Sequence, residues 1–166
     1  MNPYISIPLL IVLSLLQSTA APRLSVGSVW PDFVLLVVMS WALLRRPEEA
    51  LGWAFVGGIS LDLLSGGPFG ASALGLMLVA WIAGYTATGV FRGRTALPIL
   101  TAFGGTLAFH FVYLVAMLLI GQPVDALDAL FRLALPAAVY NGLLSVLVFR
   151  LMAAVDHRIR PKALRW

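Results

Sequence analysis

The sequence predicts an all-α integral membrane protein: a six-helix transmembrane bundle with both termini in the cytoplasm. Three observations carry that prediction. First, 61% of the 166 residues are hydrophobic and only 11% are charged, with a mean hydropathy of +0.97, a balance no soluble domain of this size shows. Second, the apolar residues fall into runs of roughly 15 to 25, separated by proline, glycine or charge, the lengths needed to cross about 30 Å of hydrocarbon. Third, the basic residues are one-sided. Arg45, Arg46, Arg92, Arg94, Arg150, Arg158, Arg160, Lys162 and Arg165 gather at one set of helix ends, against Arg23 and Arg132 at the other. The net charge of +4 thus follows the positive-inside rule, and no nucleic-acid partner is expected from it. With no cysteine, a disulfide framework, a thiolate metal site and a thiol nucleophile are all excluded.

The elements follow in order, with spans expected at about 5–21, 28–44, 50–64, 71–91, 96–120 and 133–154 in one transmembrane domain over 1–166. The first is apolar, with Pro8 in its opening turn, where a missing N–H is tolerated. Ser18 to Ala21 resembles a signal-peptidase site. The absence of Lys or Arg before it, Pro22 after it and the many later spans favour a retained helix. The second is short if it starts at Phe33. Either it begins near Leu24 and kinks at Pro31, or Asp32 caps a short tilted helix. Arg45 to Glu49 form a charged turn, and the third helix then runs into Ser65, Gly66, Gly67, Pro68 and Gly70, a glycine-rich break. The fourth span closes at Arg92, Gly93 and Arg94, and the fifth at Gly121. Over about 123–132, Val124, Leu127, Leu130 and Phe131 recur at helical spacing, with Asp125 and Asp128 early and Arg132 late, which predicts an interfacial amphipathic helix. The sixth span follows, and a basic tail from Asp156 closes the chain. That tail would suit anionic lipid or a cytoplasmic protein, but the positive-inside rule alone accounts for it.

Polar residues inside the spans are costly and therefore informative. Asp62 lies about one turn before the glycine-rich break. It is either a solvated helix end near the headgroups or, at a helix C-terminus where the dipole disfavours negative charge, an acid in need of a partner or a proton. His110, with Thr106 and Tyr113 on its side of helix five, and Asn141 on helix six lie at matched depths, roughly 15 and 12 Å from the outer end at about 1.5 Å per residue. His110, Tyr113 and Asn141 are expected to share an interior polar cluster. Its role is either interhelical packing or a small-molecule or ion site, packing being the commoner use.

Small residues spaced four apart mark where backbones approach: Ala54 with Gly58, on the face of Asp62, then Ala80 with Gly84, and Gly104 with Ala108. No enzyme is expected. The only histidines are His110 and His157, and there is no GxSxG, Walker loop or HExxH. A channel lacks the repeated charged or carbonyl-rich lining that selects ions, and no metal or cofactor is called for.

A Pro31-Asp32 pair opening an apolar helix, a Gly57-Gly58 helix running into Asp62-Leu63-Leu64, and Gly67-Pro68-Phe69-Gly70, in a short six-span chain, together resemble the MreD family of bacterial rod shape-determining membrane proteins. The specific part of the resemblance is Pro31 to Gly70. It implies a non-catalytic scaffold of the cell-elongation machinery in the inner membrane. The partners it implies are an MreC-like protein, the MreB filament, RodZ, RodA and a class B penicillin-binding protein, among membrane lipids. Asp32, Ala54, Gly58, Asp62, Pro68 and Gly70 are the partner-binding or structural candidates. The resemblance also implies a fold similar to the S-components of energy-coupling-factor vitamin transporters, and so a rival function, vitamin binding. S-components couple through an alanine pair on helix one, where this chain offers only Ser14 and Ser18, a departure that favours the scaffold.

Overall fold

The computed structural model describes residues 3–25, 29–45, 47–87 and 96–159, and these fold as helices with no β-strand among them. The helices are α1 (Pro3–Thr19), α2 (Phe33–Leu44), α3 (Pro47–Ser65), α4 (Ala71–Thr86), α5 (Ala96–Leu119), α6 (Ala126–Asp128) and α7 (Leu135–Ile159). A 3₁₀ turn, Ala21–Leu24, follows α1. Gly27, Ser28, Arg46, the Arg92–Arg94 closure and the tail beyond 159 lie outside the described residues. By length and composition, Ala96–Leu119 and Ala126–Arg158 are long and apolar enough to cross a membrane.

The bundle is built around α2. Its sequence, FVLLVVMSWALL, is apolar on every side, which suits a helix with neighbours all round. Every residue from Val34 to Ala42 is buried, and α1, α3, α4, α5 and α7 all touch it. The helix is short because it starts at Phe33: of the two starts the sequence leaves open, the second is the observed one. Asp32 stands at the N-cap position, but its side chain makes no capping bond. Its backbone carbonyl accepts from Leu36.

Around α2 the other helices follow in the order α1, α3, α4, α5, α7. Many of their small and polar residues face inward beside a few large apolar ones, and most of the residues they expose are large and apolar, the pattern expected in lipid. On α7, for example, Ala137, Ala138, Asn141 and Ser145 are buried, while Val139, Leu143, Leu147 and Leu151 are exposed. Helices α3 and α4 approach closely, so that a Cβ on Gly58 would stand 2.2 Å from the Ala73 Cα. Only a hydrogen fits there.

At the end opposite Asp32, Trp41 and Trp53 stack with ring centroids 4.6 Å apart and planes at 9°. Arg45 lies over Trp41 and pairs with Asp156 at 2.5 Å, joining the end of α2 to the end of α7. This revises the reading of Asp156 as the start of a tail: it is buried, and α7 continues to Ile159. The helix expected over about 123–132 also differs. It is not separate from the last span, because α6 passes through a π-helical segment, Ala129–Ala134, straight into α7. The physical reason lies in Pro136, whose missing N–H and ring conflict with α-helical bonding to the preceding turn, and the wider π turn just before it absorbs the misfit. Asp125 caps this rod, accepting from the amides of Leu127 and Asp128.

Candidate functional site

Two aspartates sit at the same end of the bundle, and their surroundings differ. Asp62 belongs to the glycine-rich stretch. It is 4% exposed, so it is not a solvated helix end. Its carboxylate accepts from the backbone amides of Gly70 and Ser72 at 2.8 and 3.0 Å, and from Ala73 at 3.4 Å. Those three amides open α4. A helix start is normally capped by the side chain of its own N-cap residue, but here that residue is Gly70, with φ of 91° and no side-chain oxygen to give. Asp62 supplies the cap from α3. The positive end of the α4 dipole thereby offsets the negative end of α3, which answers the need for a partner. Pro68 contributes the carbonyl that accepts from Ala71, closing the turn whose third residue is Gly70.

Asp32 enters a different network. Its Oδ1 accepts from Gln17 Nε2 at 2.6 Å, and Gln17 Oε1 in turn accepts from the Val34 amide. That second bond fixes which end of the Gln17 amide is oxygen. The Asp32 amide donates to Asn141 Oδ1 at 3.0 Å, so Asn141 Nδ2 is free to donate to Thr106 Oγ1 at 3.2 Å. The Thr106 carbonyl accepts from His110 Nδ1 at 2.9 Å. One connected chain of bonds therefore runs from α1 through the start of α2 to α7 and α5. Asn141 and Thr106 are wholly buried within it, and Asp32 is 8% exposed.

Gln17, Asp32, His110 and Asn141 border a partly open cavity of about 310 Å³. Leu61, Phe109, Leu133 and Ala137 give it apolar walls, and Trp30 stands half exposed beside it. Tyr113 also lines it, stacked on Phe109, with its hydroxyl pressed against Gly67. Among the residues singled out from sequence, His110 and Asn141 meet on Thr106, and Tyr113 joins them at the cavity wall but not in the hydrogen-bonded chain. Asp62, Pro68 and Gly70 meet in the α3–α4 turn, with Gly58 and Ala54 further down α3. Sequence reasoning missed Gln17. The signal was a lone amide in an otherwise apolar helix.

An all-helical bundle with its large apolar residues turned outward and its polar groups bonded to one another inside defines a membrane protein. The family model described as rod shape-determining protein MreD matches residues 1–155. The chain belongs to the MreD family and is a rod shape-determining membrane protein. No curated protein and no solved structure matches it.

Proposed function

We propose that this chain is a non-catalytic scaffold of the bacterial cell-elongation machinery. It holds the transmembrane helix of an MreC-like partner and helps couple the MreB filament to peptidoglycan synthesis by RodA and a class B penicillin-binding protein, with RodZ in the same assembly. It sits in the inner membrane as a six-span bundle with both termini in the cytoplasm.

The observation that supports this reading most is how the three small-residue pairs are used. Gly58, beside Ala54 on α3, is filled by the Ala73 backbone of α4, and Ala54, Ala80 and Gly84 are buried within the bundle. Gly104 is different. It is exposed, a Cβ there would meet nothing within 4 Å, and Leu100 and Phe111 on the same face of α5 are 59% and 65% exposed. In lipid a lone apolar helix gains affinity from such a notch, because close backbone approach replaces the missing hydrophobic drive. Gly104→Leu should therefore abolish co-purification with an MreC-like protein in detergent while leaving melting unchanged. Gly52→Leu, at another open glycine, should leave pairing intact.

The cavity favours a second reading, a vitamin-binding subunit with the fold of a transporter S-component. Against it, Ser14 on α1 is fully buried and bonded to the Leu10 carbonyl, so Ser14 and Ser18 form no outward pair. Stable pairing with an energy-coupling module and a bound vitamin, with the MreC-like protein ignored, would replace the scaffold by this reading.

Orientation can be measured on the same protein, since the chain has no cysteine to give background. Cysteines introduced at Ser65 and Gln122 are expected to react with an impermeant maleimide in intact cells, and one at Glu48 is not. The reverse pattern would invert the topology.

A further inference from the structure

We propose that the cavity beside Asp32 binds a primary ammonium group. The proposal is independent of the partner reading above. It starts from the contrast between the two acids. Asp62 uses both carboxylate oxygens on backbone amides, leaving it nothing to offer. Asp32 uses Oδ1 on Gln17, while Oδ2 accepts no hydrogen bond among the described residues. The Leu35 amide stands near that carboxylate without closing a capping bond. An acid that is more than nine-tenths buried with half its acceptor capacity unfilled is costly unless something brings a donor to it.

The neighbouring groups say what kind of donor. A carbonyl oxygen can only accept, so the bond between His110 and the Thr106 carbonyl places the imidazole proton on Nδ1. On the neutral ring Nε2 is then an acceptor, and that ring lines the cavity. Asn141 and Gln17 have their amide oxygens and one N–H each committed within the chain of bonds. The cavity thus presents one carboxylate oxygen and one imidazole nitrogen as acceptors, beside the hydroxyls of Ser65, Ser72 and Tyr113, which can accept or donate, and no lysine or arginine lines it. An occupant that brings N–H donors finds acceptors there, and it is favoured if it also brings positive charge, since it then neutralises the carboxylate as it bonds. A primary ammonium does both. At about 30 Å³ per water-sized unit the volume admits on the order of ten non-hydrogen atoms, a headgroup rather than a whole lipid.

Such a group comes from either an aminophospholipid headgroup or a free amine. The experiment uses the full-length chain in nanodiscs, with native mass spectrometry and thermal melting as readouts. Phosphatidylethanolamine is compared with phosphatidylcholine, which carries the same phosphate and charge but no N–H. Free ethanolamine is titrated separately into phosphatidylcholine discs. If the lipid is the source, phosphatidylethanolamine is retained at least tenfold more strongly than phosphatidylcholine, and Asp32→Asn removes the preference. If a free amine is the source, ethanolamine raises the melting temperature of the wild type and not of Asp32→Asn. Should Asp32→Asn fail to fold, His110→Phe, which deletes the second acceptor, is read in its place and is expected to weaken retention severalfold. Equal retention of both lipids together with no response to ethanolamine would overturn the proposal. So would a preference that survives both substitutions.

Discussion

Adding one methyl group at Gly58 is expected to destabilise the bundle by about 3 kcal/mol, the upper end of overpacking penalties. The methyl would lie 2.2 Å from the Ala73 Cα and 2.5 Å from its nitrogen, and backbone cannot swing aside as a flexible side chain would. The helices must separate, and the separation moves the Ser72 and Ala73 amides away from Asp62. Gly58→Ala should therefore lower the melting temperature in detergent sharply, and Gly58→Leu should prevent accumulation of folded protein. Gly52 on the same helix has nothing within 4 Å, so Gly52→Ala should be neutral or stabilising by up to about 1 kcal/mol through helix propensity. Equal melting of Gly58→Ala and wild type would show that α3 and α4 do not cross as described.

Asp62→Ala should cost a similar amount, about 3 kcal/mol, by a different route. Bonds from amides to a charged oxygen contribute about 1.5 to 3 kcal/mol each, and three that share one carboxylate do not add fully. The substitution leaves the Ser72 and Ala73 amides, both buried by the α3–α4 contact, with no acceptor, and Gly70 has no side chain to replace it. Asp62→Asn, which keeps one oxygen, should fall between the two. Because the helices themselves remain apolar, the amount inserted in the membrane should change little, while detergent melting and co-purification of an MreC-like partner should fall. A variant that melts as the wild type does would remove the capping role.

The two acids show how far sequence can be read at these sites. Asp62 stood out because an acid inside an apolar helix demands a reason, but its partners are backbone amides of another helix, and amides leave no trace in residue types. The short, uniformly apolar stretch 33–44 was legible as unusual. That its shortness marks the helix at the centre, sheltered from lipid on all sides, follows only once the neighbours are in place. The Arg45–Asp156 pair links residues 111 apart, and no local pattern announces it. Periodicity found the amphipathic stretch before the last helix but placed a break after Arg132 where a π turn carries the chain on. Of the three small-residue pairs, spacing alone could not say which was spent inside the bundle and which faces outward.

The brevity of α2 also has an electrical side. Twelve residues rise about 18 Å, while the 24 residues of α5 rise about 36 Å and clear the full hydrocarbon thickness of about 30 Å. Where water or an ion enters the cavity above Asp32, the membrane potential falls across α2 alone, so the field along the bundle axis is roughly 1.7 times steeper than in the surrounding lipid. A charge resting at Asp32 would then lie almost at the potential of the side onto which the cavity opens, despite its depth. With that cavity filled, the centre of the protein is a thin dielectric window in a thicker wall, and the voltage drop across it is spread over an apolar helix that has no charge to respond.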